Sequence, residues 1–233
     1  MKSKIIILLW LSILISSCEK ITNVTQVDGI TTGKLSYKLT DDSGKGLAGM
    51  NVSLYDAETM LNASSPNPAA LVIKIQTDQE GIAHFTDLLP RNYLVTTESP
   101  IVNNVKYNPY EFVQVVADRE KKKVVKVSDF SGTFNITLVS NLDQVTPLKN
   151  VGVVIYPMYD FRPNSDNAAE FIKTAALKGV TDENGFVAIK VPSNIAFDFI
   201  VYNLANGNLG YGYGYHSVGN GEKQLIFHTS HPF

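Results

Sequence analysis

The chain has 233 residues, of which 44% are hydrophobic, 18% charged and 10% aromatic, with 16 Gly, 10 Pro and one Cys. A single cysteine excludes a disulfide scaffold and a four-cysteine zinc site. A formal net charge of −2 gives no basis for nucleic-acid binding, and a mean hydropathy near zero excludes a multi-span membrane protein. The length suits one domain or two small ones.

At the start of the chain, Lys2 and Lys4 form a short positive region and Ile5–Ile15 reads IIILLWLSILI. That apolar run is too short for an ordinary membrane span, and polar chain follows it. This is the layout of a signal peptide over residues 1–17. Ile15-Ser16-Ser17-Cys18 resembles the lipobox of bacterial lipoproteins: an aliphatic residue, two small residues, then cysteine. The resemblance implies cleavage before Cys18, which then carries diacylglycerol and an N-acyl chain and makes the membrane a partner. Several acyl chains anchor stably where one does not. The alternative is an uncleaved anchor, or a secreted protein with a stray thiol. Loss of residues 1–17 removes Lys2 and Lys4 and moves the formal charge from −2 to −4. A Cys-Glu-Lys start lacks the aspartate that resembles an inner-membrane retention signal in enteric bacteria. That favours the outer membrane of a Gram-negative bacterium, with either the periplasm or the exterior as the face. Residues 18–31 have no long apolar run and read as the lipidated N-terminus and a tether.

Beyond the tether a strand-and-turn pattern occurs twice. Gly33–Thr40 alternates, with Leu35, Tyr37 and Leu39 on one face and Lys34, Ser36 and Lys38 on the other. A turn at 41–46 leads to a second strand over 50–55, and Leu71, Ile73 and Ile75 mark a third. Thr77-Asp78-Gln79-Glu80-Gly81 is a tight turn before a strand at 82–85, and Leu88–Asn92 introduces a strand at 93–97. Tyr110–Val116 and Lys123–Val127 read as the late strands. The second half repeats this with strands over 132–139, 151–156, 186–189, 197–201 and 224–229. Equivalent elements are offset by 99 (Gly33 to Gly132), 101 (Leu47 to Leu148) and 104 residues (Gly81 to Gly185). Two tandem β-sandwiches, 32–129 and 130–233, account for the pattern better than one large domain.

The motifs resemble the prealbumin-like seven-stranded sandwiches, which include carboxypeptidase regulatory-like domains and collagen-adhesin B-type repeats. In the first half the resemblance rests on Asp41, Leu47, Gly49, Thr77, Asp78, Gly81, Leu89, Tyr93 and Val95. In the second it rests on Leu148, Thr181, Asp182 and Gly185. Asn150 replaces the glycine after the leucine, and Phe199 stands near the tyrosine position. Glycine accepts φ > 0 after each turn, aspartate bonds back to turn amides, and the aromatic fills the space between sheets. The resemblance implies an all-β fold of two tandem seven-stranded Greek-key sandwiches, prealbumin-like or immunoglobulin-like. It also implies roles as stalks, spacers or adhesive modules.

Catalytic and metal chemistry finds little support. The transthyretin-like group contains a 5-hydroxyisourate hydrolase that uses histidines, an arginine and a C-terminal Tyr-Arg-Gly-Ser tail. This chain ends His228-Thr-Ser-His231-Pro-Phe233. Some collagen-adhesin B-type domains form a Lys–Asn amide, but Lys34 and Lys38 lie opposite the apolar face of their strand. His84, His216, His228 and His231 match no strong zinc spacing. Asp41-Asp42 and Asp78/Glu80 read as turn chemistry rather than calcium loops. No phosphate loop, serine elbow or cofactor motif is present, so no cofactor and no metal are expected. Asn23, Asn51, Asn62 and Asn135 open Asn-x-Ser/Thr triplets; Asn51 and Asn135 read as outward strand residues.

Two segments stand out as binding surfaces. The first holds Tyr156, Tyr159 and Phe161, followed by 165–178, which suits either a short helix capped by Ser165 or a strand near Phe171-Ile172. Its aromatics either meet a sugar or protein, or cover the end of the sandwich. The second holds Tyr211, Tyr213 and Tyr215, which share one face if extended, with Gly212 and Gly214 baring the other. That stripe is either packed, a ligand or partner surface, or disordered. The expectation is a non-catalytic, lipid-anchored envelope protein serving adhesion, display or assembly, with an envelope or extracellular protein as partner. Alternatives are a carbohydrate-binding accessory of a glycan-uptake system, and a purely structural spacer.

Overall fold

The computed structural model describes residues 31–61, 67–158 and 166–230. The signal peptide, Cys18, most of the tether, Asn23, Asn62, Tyr159, Phe161, Ser165 and His231 lie outside the described residues. Thr32–Phe233 cluster as one compact unit.

The first half contains β1 (Gly33–Thr40), β2 (Asn51–Asp56), α1 (Ala57–Leu61), β3 (Leu71–Gln76), β4 (Ile82–Leu88), β5 (Asn92–Thr97), β6 (Ile101–Val102), β7 (Val105–Lys106), β8 (Tyr110–Gln114) and β9 (Glu120–Lys126). A three-stranded sheet, β4-β1-β9, faces a four-stranded sheet, β3-β2-β5-β8, and β6-β7 form a separate ribbon. The second half contains β10 (Ser131–Ser140), β11 (Val151–Pro157), α2 (Ala168–Thr174), β12 (Lys178–Val180), β13 (Phe186–Pro192), β14 (Phe197–Asn203), β15 (Leu209–His216) and β16 (Glu222–Thr229). Its sheets run β13-β10-β16 and β12-β11-β14-β15. The strand order is therefore the same in both halves once the β6-β7 ribbon is set aside. In each half the first strand pairs parallel with the last, β1 with β9 and β10 with β16, and every other pairing is antiparallel.

Alternation builds the cores. Leu35, Tyr37 and Leu39 are fully buried against Val52, Leu54, Tyr93 and Val95, while Lys34 is exposed and Lys38 half-buried. A second core gathers Phe134, Ile136, Leu138, Val153, Ile155, Phe199 and Val201. Phe134 and Phe199 meet edge-to-face at 5.0 Å, and Phe199 meets Phe227 at 5.3 Å. Phe130, which the sequence pattern assigns to the second half, packs into the first core, and its carbonyl accepts a 2.9 Å bond from the Ser193 amide.

The repeated Thr-Asp-x-x-Gly turn forms the same knot twice. The Thr77 hydroxyl donates to the Leu47 carbonyl (2.6 Å) and accepts from the Met50 amide (2.9 Å). Thr181 does the same with Leu148 (2.7 Å) and Val151 (3.0 Å). Asp78 Oδ1 accepts the amides of Glu80 and Ile82, and Asp182 Oδ1 those of Asn184 and Phe186. Gly81 (φ 78°) and Gly185 (φ 69°) adopt the left-handed conformation. Asn150 (φ 57°) keeps that conformation where the first half has Gly49 (φ 72°), because asparagine tolerates it.

Three sequence expectations shift. Met50 and Val151 bond to equivalent threonines, and register from there places Phe197, paired with Pro157, where Tyr93 pairs with Asp56. Phe199 stands one inward position further on, opposite Ile155 as Val95 is opposite Leu54. The third strand of the first half is bulged at Val72, so Leu71 aligns with Tyr55 while Ile73 and Ile75 align with Leu54 and Val52. Asn135 is buried, with its amide donating to Glu222 (2.9 Å), rather than lying free on the outer face.

Candidate functional site

The acidic clusters are consumed by backbone. Asp41 Oδ1 accepts the Ser43 hydroxyl and the amides of Ser43 and Lys45, which hold its carboxyl below the usual range. The Ile82 amide does the same for Asp78. Among the described residues no group of three or more His, Cys, Asp or Glu could hold a metal ion. His84 contacts Ser36 and Asp78, and His216 packs on Phe199 and Phe227. Burial, then the nearby Lys223, push the His216 imidazole below its ordinary value, with Asp198 opposing.

One polar cluster lies between the sheets of the first half. Tyr37 donates to Glu111 Oε1 at 2.8 Å, and Lys123 Nζ meets Glu111 Oε2 at 2.9 Å. Burial and the Glu111 charge drive the Tyr37 hydroxyl strongly upward, so it stays a neutral donor. These bonds tie β1, β8 and β9 together, and each group is satisfied by the others.

Of the aromatics singled out in the sequence, Tyr159 and Phe161 lie outside the described residues. Tyr156 is buried, not exposed, and packs edge-to-face on Phe171 of α2 at 5.4 Å. The reason is that 168–174 folds as a helix rather than as a strand near Phe171, and returns over the outer face of β11. Lys178 Nζ secures the helix end by donating to the carbonyls of Ile172 (2.7 Å) and Lys173 (3.0 Å). Tyr211, Tyr213 and Tyr215 lie on β15, the edge strand. A single stripe needs unbroken alternation, yet the β14/β15 register shifts twice, between Phe197 and Phe199 and between Ile200 and Tyr202. Tyr215 takes φ 63° and is 71% exposed, with its amide directed at Asp198. The glycine spacing permits these bulges.

An exposed apolar surface lies instead on the outer face of the first half's four-stranded sheet. Register aligns Leu71 with Tyr55, Tyr55 with Leu94 and Leu94 with Phe112, a row across all four strands. Leu71 is 43% and Phe112 49% exposed, and Tyr110, also 43% exposed, meets Phe112 edge-to-face at 5.8 Å. Beside the row runs a groove of about 520 Å³, between Tyr55, Met60, Asn67, Leu71, Asn108 and Tyr110. None of the described residues lining it is charged. Thr97 borders it as well, but its hydroxyl is buried on the core side of β5, where the strand pairs with Val52. On the corresponding face of the second half the two central strands are covered. Val154, Tyr156, Ile200 and Tyr202 are all buried, and the Tyr202 ring lies across Gly152, where a Cβ would sit 2.1 Å from its Cζ.

Sequence reasoning missed this surface, although a signal was present. Val113 and Val115 face inward, so Tyr110 and Phe112 on the same strand are outward by alternation.

No protein-family model and no curated protein matches the chain. Among solved structures, the Bacillus anthracis TIE protein aligns at 18% identity and TM-score 0.35, over 86% of this chain and 34% of that one. This chain thus spans about a third of the length of that protein. The minor pilin of Streptococcus agalactiae aligns at 15% identity and TM-score 0.35, over 85% and 96% of the two chains. The shaft pilin of Lactobacillus rhamnosus GG aligns at 12% identity and TM-score 0.31, over 86% and 98%.

Proposed function

We propose that this protein is a non-catalytic, lipid-anchored module of the Gram-negative outer membrane. In this reading 32–129 and 130–233 are two domains carried on a short tether from Cys18. The first domain docks an envelope or extracellular protein in adhesion, display or assembly. The observation that carries the docking role is the set of exposed apolar side chains on the edge strands of this face, Leu71, Tyr110 and Phe112, set against the covered central strands of the second half. A contiguous exposed apolar patch marks an interaction surface more often than scattered apolar residues do. The anchor reading rests on Ile15-Ser16-Ser17-Cys18. Membrane flotation tests it: Cys18→Ser should release the chain, and a chain that stays membrane-bound with an uncleaved N-terminus overturns the anchor. The docking surface is tested by envelope pull-down with the full chain. Tyr110→Lys with Phe112→Lys should abolish capture, and Tyr215→Lys should leave it intact.

The groove favours a second reading, a neutral saccharide. Its lining of two tyrosines, Asn67, Asn108 and Thr96, uncharged among the described residues, suits a ligand that offers hydroxyls and apolar ring faces. A glycan array should then show binding that Tyr55→Ala and Tyr110→Ala remove. Binding that survives both substitutions excludes the groove.

A further inference from the structure

The two four-stranded sheets end in four edge strands, and three of them are protected. β3 is bulged at Val72 and carries Lys74. β12 has three residues, the first of them Lys178. β15 shifts register twice and holds Tyr215 at positive φ. Such bulges, lysines and short lengths are what keep sheet edges from pairing. β8 has no bulge and no lysine, and its one charge, Glu111, points inward and is held by Tyr37 and Lys123. It pairs with β5 over five unbroken rungs, from Asn92↔Gln114 to Thr96↔Tyr110, and contains neither lysine nor proline.

The phase of the open edge follows from one bond. The Val115 amide donates to the Arg91 carbonyl at 2.9 Å, on the same register as the five rungs. Antiparallel ladders alternate, so residues 111, 113 and 115 bond to β5. The amides and carbonyls of Tyr110, Phe112 and Gln114 face away, and among the described residues β5 is the only sheet partner of β8.

We infer that β8 pairs antiparallel with β8 of a second copy of this chain, about a two-fold axis at Phe112. The inference rests on the reading of the first domain as the docking unit and names its partner. Phe112 then faces Phe112 of the second copy, Tyr110 faces its Gln114, and Glu111 faces its Val113. Moving the axis to Glu111 would set two carboxylates against each other, and moving it to Val113 would leave the Phe112 rings unpaired. The chosen register joins the row Leu71-Tyr55-Leu94-Phe112 to its mirror across an eight-stranded sheet, so the apolar row is continuous through the interface. The pairing is isologous and closes at two copies.

Cysteine scanning of the full chain in its native membrane tests this. Residues opposite each other in a hydrogen-bonded antiparallel pair have Cα atoms about 5.5 Å apart, inside the disulfide range of roughly 4.4–6.8 Å. Oxidised Phe112→Cys should therefore run as a covalent dimer. Tyr110→Cys alone should not, being displaced from its own copy by about 13 Å, whereas Tyr110→Cys with Gln114→Cys should. The unsubstituted chain, which retains Cys18, should give no dimer. No cross-link at 112, or equal cross-linking at 110 alone, overturns the pairing. Gln114→Pro supplies a second measurement, because it removes an edge-facing amide and spares the bonds to β5. Light scattering of the detergent-solubilised full chain should show a dimer that this variant weakens at least about tenfold. A monomeric parent chain, or a mass unchanged by Gln114→Pro, also overturns it. A monomer that still captures an envelope protein through Phe112 overturns self-pairing while leaving the docking reading intact.

Discussion

The two halves of this protein are built on the same strand order and the same Thr-Asp-x-x-Gly knots, yet large side chains sit differently on the outer faces of their four-stranded sheets. In the first half, Leu71, Tyr110 and Phe112 remain 43–49% exposed. In the second, Val154, Tyr156, Ile200 and Tyr202 are buried. Local sequence decides much of this. Gly152 admits the Tyr202 ring, where the first half has a half-buried Asn51 whose amide bonds Glu98 instead. The insertion between β11 and β12 supplies a helix whose Phe171 seats on Tyr156. The corresponding helix α1 is capped by Asp56, and the face beyond it stays open. A shared scaffold therefore carries covered aromatics on its central strands in the second half and exposed ones on an edge strand in the first.

The comparison can be broken at several places. Phe134→Ala should remove about 3–5 kcal/mol of stability by opening a cavity at the centre of the second core, read by denaturant unfolding. If the halves are separate cooperative units, amide exchange in β2 and β5 should stay slow in that variant. Exchange that rises together in all four central strands would make the chain one unit. Gly152→Asn imports the first half's residue and should cost about 1–3 kcal/mol, because the added atoms meet the Tyr202 ring. The reciprocal Asn51→Gly should leave the second half untouched.

Acid should separate the halves by pH. Asp56 accepts the Thr59 amide and pairs with Arg91, and its folded pKa falls from 3.8 to about 2. Its contribution is complete above the unfolded value near 3.8 and is lost as pH falls toward 2. Asp56→Ala should cost about 1 kcal/mol at neutral pH, the usual worth of a helix N-cap, and should flatten that acid limb. In the second half Pro157 occupies the equivalent position, and His216 is the sensitive group. Its folded pKa lies below 6.5, so the unfolded chain takes up the proton first and stability declines as pH falls through 6.5. His216→Phe should remove that limb. The smallest expected change is Asn150→Gly, which keeps the left-handed backbone and should alter stability by under about 1 kcal/mol.

Much of this architecture was legible in residue order. Leu35, Tyr37 and Leu39 announced an inward face, and Thr77-Asp78…Gly81 and Thr181-Asp182…Gly185 announced the turns. Both are local signals: alternation is a property of one strand, and the aspartate closes its own turn within four residues. Phe199 was assigned one inward position away from the Tyr93 equivalent, because loop lengths between halves differ and only cross-strand register resolves the slip. Tyr156 looked like a binding aromatic because the return of α2 onto it depends on packing. The register shifts of β15 were not legible in its glycine spacing because bulges are visible only against a partner strand. Tyr110 and Phe112 passed unremarked because they sit on a strand that sequence identified without asking which way it faced.

The sequence by itself determined a twice-repeated, all-β plan and the turns that build it, since those depend on neighbours along the chain. Only the tertiary structure decided which sheet face is covered and which edge is left unprotected. Coverage arises where distant segments meet, Phe171 on Tyr156 and Tyr202 on Gly152, and an edge is open only when no other strand or bulge closes it.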